Sequence, residues 1–117
     1  MKKSVDVKWM VEDIVGCKWS LRVLELIQNG VVRPGEMVRS TEGLTTKVLN
    51  ERLTKMLRYS LLEKIQHPVV PPKVEYHFTD RGRQFIEIIK KINLLQEELD
   101  KDTPSLNLEE RRLRVDK

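Results

Sequence analysis

Leu44–Ser60 reads LTTKVLNERLTKMLRYS, and its pattern decides the fold. Val48, Leu49, Leu53, Met56 and Leu57 recur at spacings of three and four, the period of a helix with one buried stripe. The opposite side carries Thr46, Lys47, Asn50, Arg52, Lys55 and Arg58. Thr45 is placed to cap the helix, its hydroxyl accepting from an otherwise unpaired N–H of the first turn. Lys47, Arg52, Lys55 and Arg58 against Glu51 leave the segment at +3, most of the +4 carried by the whole chain. Cations for phosphates, with Thr, Asn or Arg for base edges, are what a helix in a DNA major groove needs. A solvated amphipathic helix is the plain alternative, and the neighbouring segments bear on the choice.

The rest of the composition narrows the class. A chain of 117 residues suits one domain with a single core. With 39% hydrophobic and 34% charged residues, it fits a soluble, helix-rich protein with much charged surface. No apolar run reaches the roughly 18 residues of a membrane span, so no membrane role is expected. The start, MKKSVDVKWM, has lysines but no apolar core, so no secretory signal is expected. One cysteine, Cys17, cannot form an internal disulfide, which suits a reducing cytoplasm.

Upstream, a short helix is expected from about Val7, interrupted at Gly16, and a clearer one over residues 18–29 with Trp19, Val23, Leu24, Leu26 and Ile27 apolar. Asn29-Gly30 is a helix stop. Val31-Val32-Arg33 is a candidate very short strand. Pro34 suits the first turn of a brief helix, about Pro34–Ser40, and Glu42-Gly43 turns into the basic helix. A short helix, a glycine-containing turn and a longer basic helix make the helix-turn-helix pattern.

Downstream, Leu61–Gln66 and Lys73–Phe78 read as two strands, the second alternating Val74, Tyr76 and Phe78 with Lys73, Glu75 and His77. Pro68, Pro71 and Pro72 bar a helix between them. Two strands joined by a proline-stiffened tip directly after a helix-turn-helix make a wing, with Lys64 and Lys73 within reach of backbone phosphate.

Thr79 and Asp80 open the last long helix, expected over 79–99, with Gly82 tolerated in its first turn at a cost. Phe85, Ile88, Ile92, Leu95 and Leu99 follow at steps of three and four, and Ile86, Ile89 and Leu94 widen the apolar surface. Burying a few such side chains at about 1.5–3 kcal/mol each drives association, so a homodimer through this seam is expected. The domain is therefore drawn as 1–99, followed by a charged, frayed tail over 100–117. In that tail Asn107 and Glu110 resemble a capping box for a marginal helix.

No enzyme constellation is present. His67 and His77 lack the further ligands of a metal site and read as exposed polar positions on the wing. There is no GxGxxG, P-loop or G-x-S-x-G, so neither catalysis nor a cofactor is expected. Cys17 has two readings: a redox switch helped by the adjacent Lys18, or, preferred, a small residue packed beside Trp19. Trp9 and Trp19 could mark a ligand pocket, and an unknown small-molecule effector is kept open.

These segments together resemble the HxlR-type winged helix-turn-helix regulators, MarR-like in fold, over roughly Val11–Leu99. Gly16-Cys17-Lys18-Trp19-Ser20 is similar to that family's GGKW, Arg33-Pro34-Gly35-Glu36-Met37 to its R-F-G-E-L, and Leu49-Asn50-Glu51-Arg52-Leu53 to its L-T-E-R-L. Pro71-Pro72-Lys73-Val74-Glu75-Tyr76, followed by Thr79 and Gly82, is close to its P-P-R-V-E-Y-x-L-T-x-x-G. The resemblance implies a mainly α fold with a small β wing. It also implies a dimeric bacterial or archaeal DNA-binding protein whose first and last helices form the dimer interface, with Leu44–Ser60 as recognition helix and Gln66–Val74 as wing. Three positions depart from the family. Asp6 falls near the place where many members carry a sensing cysteine, Cys17 replaces the second glycine of the motif, and Ser60 stands where a glycine usually ends the recognition helix.

The expected function is sequence-specific transcriptional regulation by a dimer on a near-palindromic operator. Thr46, Lys47, Asn50 and Arg52 are expected at base edges or nearby phosphates, and Thr45, Lys55, Arg58, Lys64 and Lys73 at the backbone. A winged helix used as a protein-interaction module facing an acidic partner is the alternative, followed by a ligand or redox sensor whose DNA binding is secondary.

Overall fold

Residues 6–102 are described by the computed structural model of the chain. In order they form helices α1 (Val7–Val15), α2 (Lys18–Gln28), α3 (Pro34–Arg39) and α4 (Thr46–Arg58), strands β1 (Leu62–His67) and β2 (Lys73–Phe78), and helix α5 (Asp80–Asp102). The chain divides after Phe85 into two compact units, so α5 begins in the first and continues as the second. No helix among the described residues is long and apolar enough to cross a membrane.

Local chemistry accounts for the helix ends. The Asp6 carboxylate caps α1 by accepting from the Trp9 N–H at 3.2 Å. At the end of α2, Gly30 adopts φ +90°, its N–H donates to the Ile27 carbonyl at 3.0 Å, and the Val31 N–H donates to Leu26 at 2.9 Å. That is the paired closure that satisfies the last carbonyls of a helix. Pro34 opens α3 as expected. The Val31–Arg33 strand does not form. Pro34 starts the next helix at once, so this segment contributes only the Val32 carbonyl, which accepts from the Tyr76 N–H at 2.9 Å.

In the first unit α2 lies against α1, α4 and β2, while α3 and β1 also pack on α4. Ile14, Val23, Leu24, Met37, Leu49, Leu53, Met56 and Leu61 are the most deeply buried side chains of this core. The stripe expected on α4 is buried at Leu49, Leu53 and Met56 and half-buried at Val48 and Leu57.

α4 ends as α2 does, but with serine in the left-handed position. Ser60 has φ +62°, its N–H donates to Leu57 at 3.0 Å, and the Leu61 N–H donates to Met56 at 3.0 Å. The start of α5 is locked to this turn. The Thr79 hydroxyl donates to the Ser60 carbonyl at 2.5 Å and accepts from the Gly82 N–H at 3.0 Å, while the Thr79 N–H donates to Leu61 at 3.0 Å. Gly82 lies so close that a Cβ there would sit 2.0 Å from the Leu61 carbonyl oxygen. Its absence of a side chain is a packing requirement, beyond the helix-propensity cost expected for glycine.

β1 and β2 pair antiparallel from Leu62 opposite Phe78 to His67 opposite Lys73. One face carries Leu62, Lys64, Gln66, Val74, Tyr76 and Phe78, and the other carries Glu63, Ile65, His67, Lys73, Glu75 and His77. Residues 68–72 form the exposed tip, where Val70 is 99% exposed.

Two expectations for the last helix change. α5 runs through Asp102, past the end expected at Leu99. The expected tail lies outside the described residues from 103 onward, as does its Asn107–Glu110 capping box. Phe85, assigned to the dimer seam, is only 3% exposed and has no surface left for a partner, because it closes the end of the first unit. Ile88, Ile92, Leu94, Leu95 and Leu99 are exposed.

Two substitutions test these close contacts. A left-handed L-residue costs about 1–2 kcal/mol, of which glycine returns about 0.5–1 through its freer unfolded chain. Ser60→Gly should therefore raise stability by about 0.5–1 kcal/mol in urea denaturation. Gly82→Ala should lower it by about 1–3 kcal/mol, since the added methyl meets backbone that must move.

Candidate nucleic-acid interface

Burial of Leu49, Leu53 and Met56 turns a defined face of α4 outward. Lys47, Glu51, Thr54 and Arg58, at steps of four, three and four, form its exposed line, with Thr46 and Asn50 exposed beside it. Thr45 caps the helix, its Oγ1 accepting from the Val48 N–H at 3.1 Å. Because Thr45 Oγ1 only accepts in this cap, its hydroxyl hydrogen is left to donate elsewhere. Cations at Lys47 and Arg58, amide at Asn50, hydroxyls at Thr46 and Thr54 and a carboxylate at Glu51 make a mixed donor and acceptor surface suited to base edges and phosphates.

Arg52 and Lys55 do not belong to that face. Together with Tyr59 they form a second line, at steps of three and four, from which Lys55 and Tyr59 reach Asp13 of α1. Lys55 Nζ lies 3.2 Å from Asp13 Oδ1 and 3.1 Å from Oδ2, and the Tyr59 hydroxyl donates to Oδ2 at 2.5 Å. Trp9 meets Tyr59 edge-on, with ring centres 6.0 Å apart. The Tyr59 hydrogen bond holds the Asp13 carboxyl below its ordinary range, with Lys55 and the Arg52 charge adding to it against the upward push of burial. The Tyr59 hydroxyl is pushed up to about 12, first by burial and then by the Asp13 carboxylate. Arg52 is half-buried with its Nε unpartnered. Lys55, expected at phosphate, is thus paired with an acid of a helix far away in sequence, while Arg52, expected at a base edge, has no such partner.

Between Trp9 and α4 lies an open cleft of about 610 Å³, lined from α4 by Asn50, Glu51, Arg52, Thr54, Lys55 and Arg58, with Tyr59 beside them. Trp19 takes no part in it. Its ring instead lies under the Lys18 ammonium, 4.9 Å away, and against Gly43.

The wing holds a cluster that spacing alone did not reveal. His77 Nε2 lies 2.8 Å and His67 Nε2 3.4 Å from the same Glu75 Oε1, and Arg33 Nε lies 3.8 Å from Oε2. The hydrogen bond with His77, and then the nearby His67 ring, hold the Glu75 carboxyl below its ordinary value. The two histidines, read as separate exposed positions, are therefore tied to one carboxylate. Strand alternation, with residues 67, 75 and 77 on one face, is the signal that could have grouped them. Lys64 and Lys73 are both exposed but on opposite faces, so a duplex meets both only if the wing enters a groove.

Cys17 is half-buried at the start of α2. Burial pushes its thiol up, but the Ser20 hydroxyl and N–H, the Arg52 charge and the Trp19 N–H outweigh it and leave the thiol below its ordinary value. Among the described residues no cluster of His, Cys, Asp and Glu is suited to a metal.

Comparison with known proteins places this geometry. A family model described as HxlR-like helix-turn-helix matches residues 14–103. The chain is 33% identical over 79 residues to the HTH-type transcriptional regulator sll1512 of Synechocystis, covering 68% of this chain and 58% of that protein, so it spans little more than half of that relative's length. It is 37% identical over 76 residues to MalR of Fusobacterium mortiferum, a protein named as regulatory, covering 64% of this chain and 72% of that one. A crystal structure of a MarR-family regulator from Enterococcus faecalis superposes with a TM-score of 0.76 at 23% identity, covering 90% of this chain and 98% of that one. At that identity the likeness shows the fold.

The α1–α4 contact has a pH signature. Tyr59 titrates near 12 when folded and near 10 when unfolded, so its contribution is full below about pH 10 and lost as pH rises through about 12. Wild type should lose stability faster than Tyr59→Phe between those limits in urea denaturation. Tyr76, also raised by burial, affects both proteins alike. Parallel curves would show that the Asp13 bond contributes nothing.

Proposed function

The chain belongs to the HxlR-like helix-turn-helix family, and on that footing we propose that it is a cytoplasmic DNA-binding transcriptional regulator acting as a homodimer. The observation that carries the reading is the exposed face of α4, with Lys47, Asn50, Thr54 and Arg58 presented by a helix-turn-helix and followed by an exposed wing. It works by binding rather than by catalysis, as its regulator relatives' names also suggest.

In this reading α4 lies in the major groove. Thr46, Lys47, Asn50 and Thr54 meet base edges or adjacent phosphates, and Thr45 and Arg58 hold the backbone. Lys64 and Lys73 line the two sides of a wing inserted into the neighbouring groove. Ile88, Ile92, Leu94, Leu95 and Leu99 supply the apolar surface that joins two copies, and Val7 and Trp9 of α1 are exposed as well. A two-fold pair then meets two half-sites about 34–36 Å apart on a near-palindromic operator.

Binding to DNA from upstream of its own gene, measured by fluorescence anisotropy across salt concentrations, tests the proposal. Asn50→Ala should cost about 1–3 kcal/mol on the operator and little on random DNA. Lys73→Gln should weaken both alike and flatten the slope of log K against log salt by about 0.9. Leu95→Glu should yield a monomer by light scattering and abolish the preference for a two-half-site operator. Binding insensitive to salt, or no preference over random DNA, would move the function to a protein partner.

A further inference from the structure

We infer that Asp13 is a specificity-determining positioning residue that withholds Lys55 of the recognition helix from DNA. The inference rests on the DNA-binding reading above and adds a restraint built into the same helix. Lys55 Nζ sits within 3.2 Å of both Asp13 oxygens, and the pair is half-buried, with side-chain exposures of 30% and 23%. Tyr59, capping the end of α4, holds the acceptor in place through its 2.5 Å hydrogen bond to Oδ2, and Trp9 meets the Tyr59 ring edge-on. The acceptor is thus fixed before any DNA arrives, and Lys55 meets it without leaving its own helix.

The consequence is electrostatic. By sequence α4 offers DNA four cations and one acid, but the outward line keeps only Lys47 and Arg58 against Glu51. Phosphate contacts by flexible cations strengthen binding to every sequence equally, because the backbone charge carries no sequence information. A lysine tied to an internal carboxylate removes one such contact. What remains depends more on Asn50, Thr46 and Thr54, which can distinguish bases. Asp13 therefore lowers affinity for random DNA while leaving the base-reading side chains untouched, which widens the gap between operator and background.

Salt titrations of binding to random duplex DNA test this on the full chain. Asp13→Asn keeps an acceptor for Tyr59 but removes the charge. It should steepen the slope of log K against log salt by about 0.9, so that affinity changes about 3.5-fold more than wild type between 50 and 200 mM salt. Lys55→Gln alone should leave the wild-type slope unchanged, and the double variant Asp13→Asn/Lys55→Gln should return to it. A merely structural Asp13 would alter stability without moving the slope. The inference is overturned if Lys55→Gln flattens the wild-type slope, which would put Lys55 on phosphate already, or if Asp13→Asn leaves the slope unchanged. Should Asp13→Asn fail to fold, the Lys55→Gln slope decides alone. Wild-type binding with no salt dependence at all would instead sink the DNA-binding reading itself.

Discussion

Leu49, Leu53 and Met56 are at most 1% exposed, and their burial fixes the rotation of α4 about its own axis. Each contributes about 1.5–3 kcal/mol in the core, so a turn of the helix that exposed them would cost more than any single polar contact could recover. Everything that α4 presents follows from this constraint. Lys47, Glu51, Thr54 and Arg58 are outward because they lie opposite that stripe. The face that α4 offers is in this sense decided by leucines and a methionine buried in the core.

The same rotation sends Lys55 and Tyr59 sideways to α1. There Asp13 organises them: it accepts from Tyr59, pairs with Lys55 and lies within the field of Arg52. A half-buried carboxylate with a hydrogen bond and a counter-ion is a better-held group than a solvated surface pair, which contributes little. The contact also joins α1 to the middle and end of α4. A displacement of α1 is thereby felt at α4 through named atoms, which is the physical content of any coupling between the two.

The wing is positioned from its base, with its tip left exposed. Ser60 in the left-handed conformation turns the chain out of α4, and the Thr79 hydroxyl and N–H fasten the start of α5 to the Ser60 and Leu61 carbonyls. Gly82 permits the close approach on which that fastening depends. The result holds the two strand ends together, while residues 68–72 stay exposed.

Much of this architecture was legible in the chain, because helix period, caps and proline are local signals. The rise of Thr46–Arg58 behind its Thr45 cap, the stop at Gly30, the start at Pro34 and the hairpin around Pro68 and Pro71 each depend on residues within a few positions of one another. The sequence by itself therefore determined a helix-turn-helix with a wing, and the basic character of its second helix, α4. Which cations of that helix face outward was decided only in three dimensions. Asp13 stands 42 residues from Lys55, and Glu75 gathers Arg33, His67 and His77 from three segments. No local pattern encodes an ion pair across such distances. A charge count over α4 cannot tell a cation offered to solvent from one already held, because that difference depends on how a neighbouring helix packs.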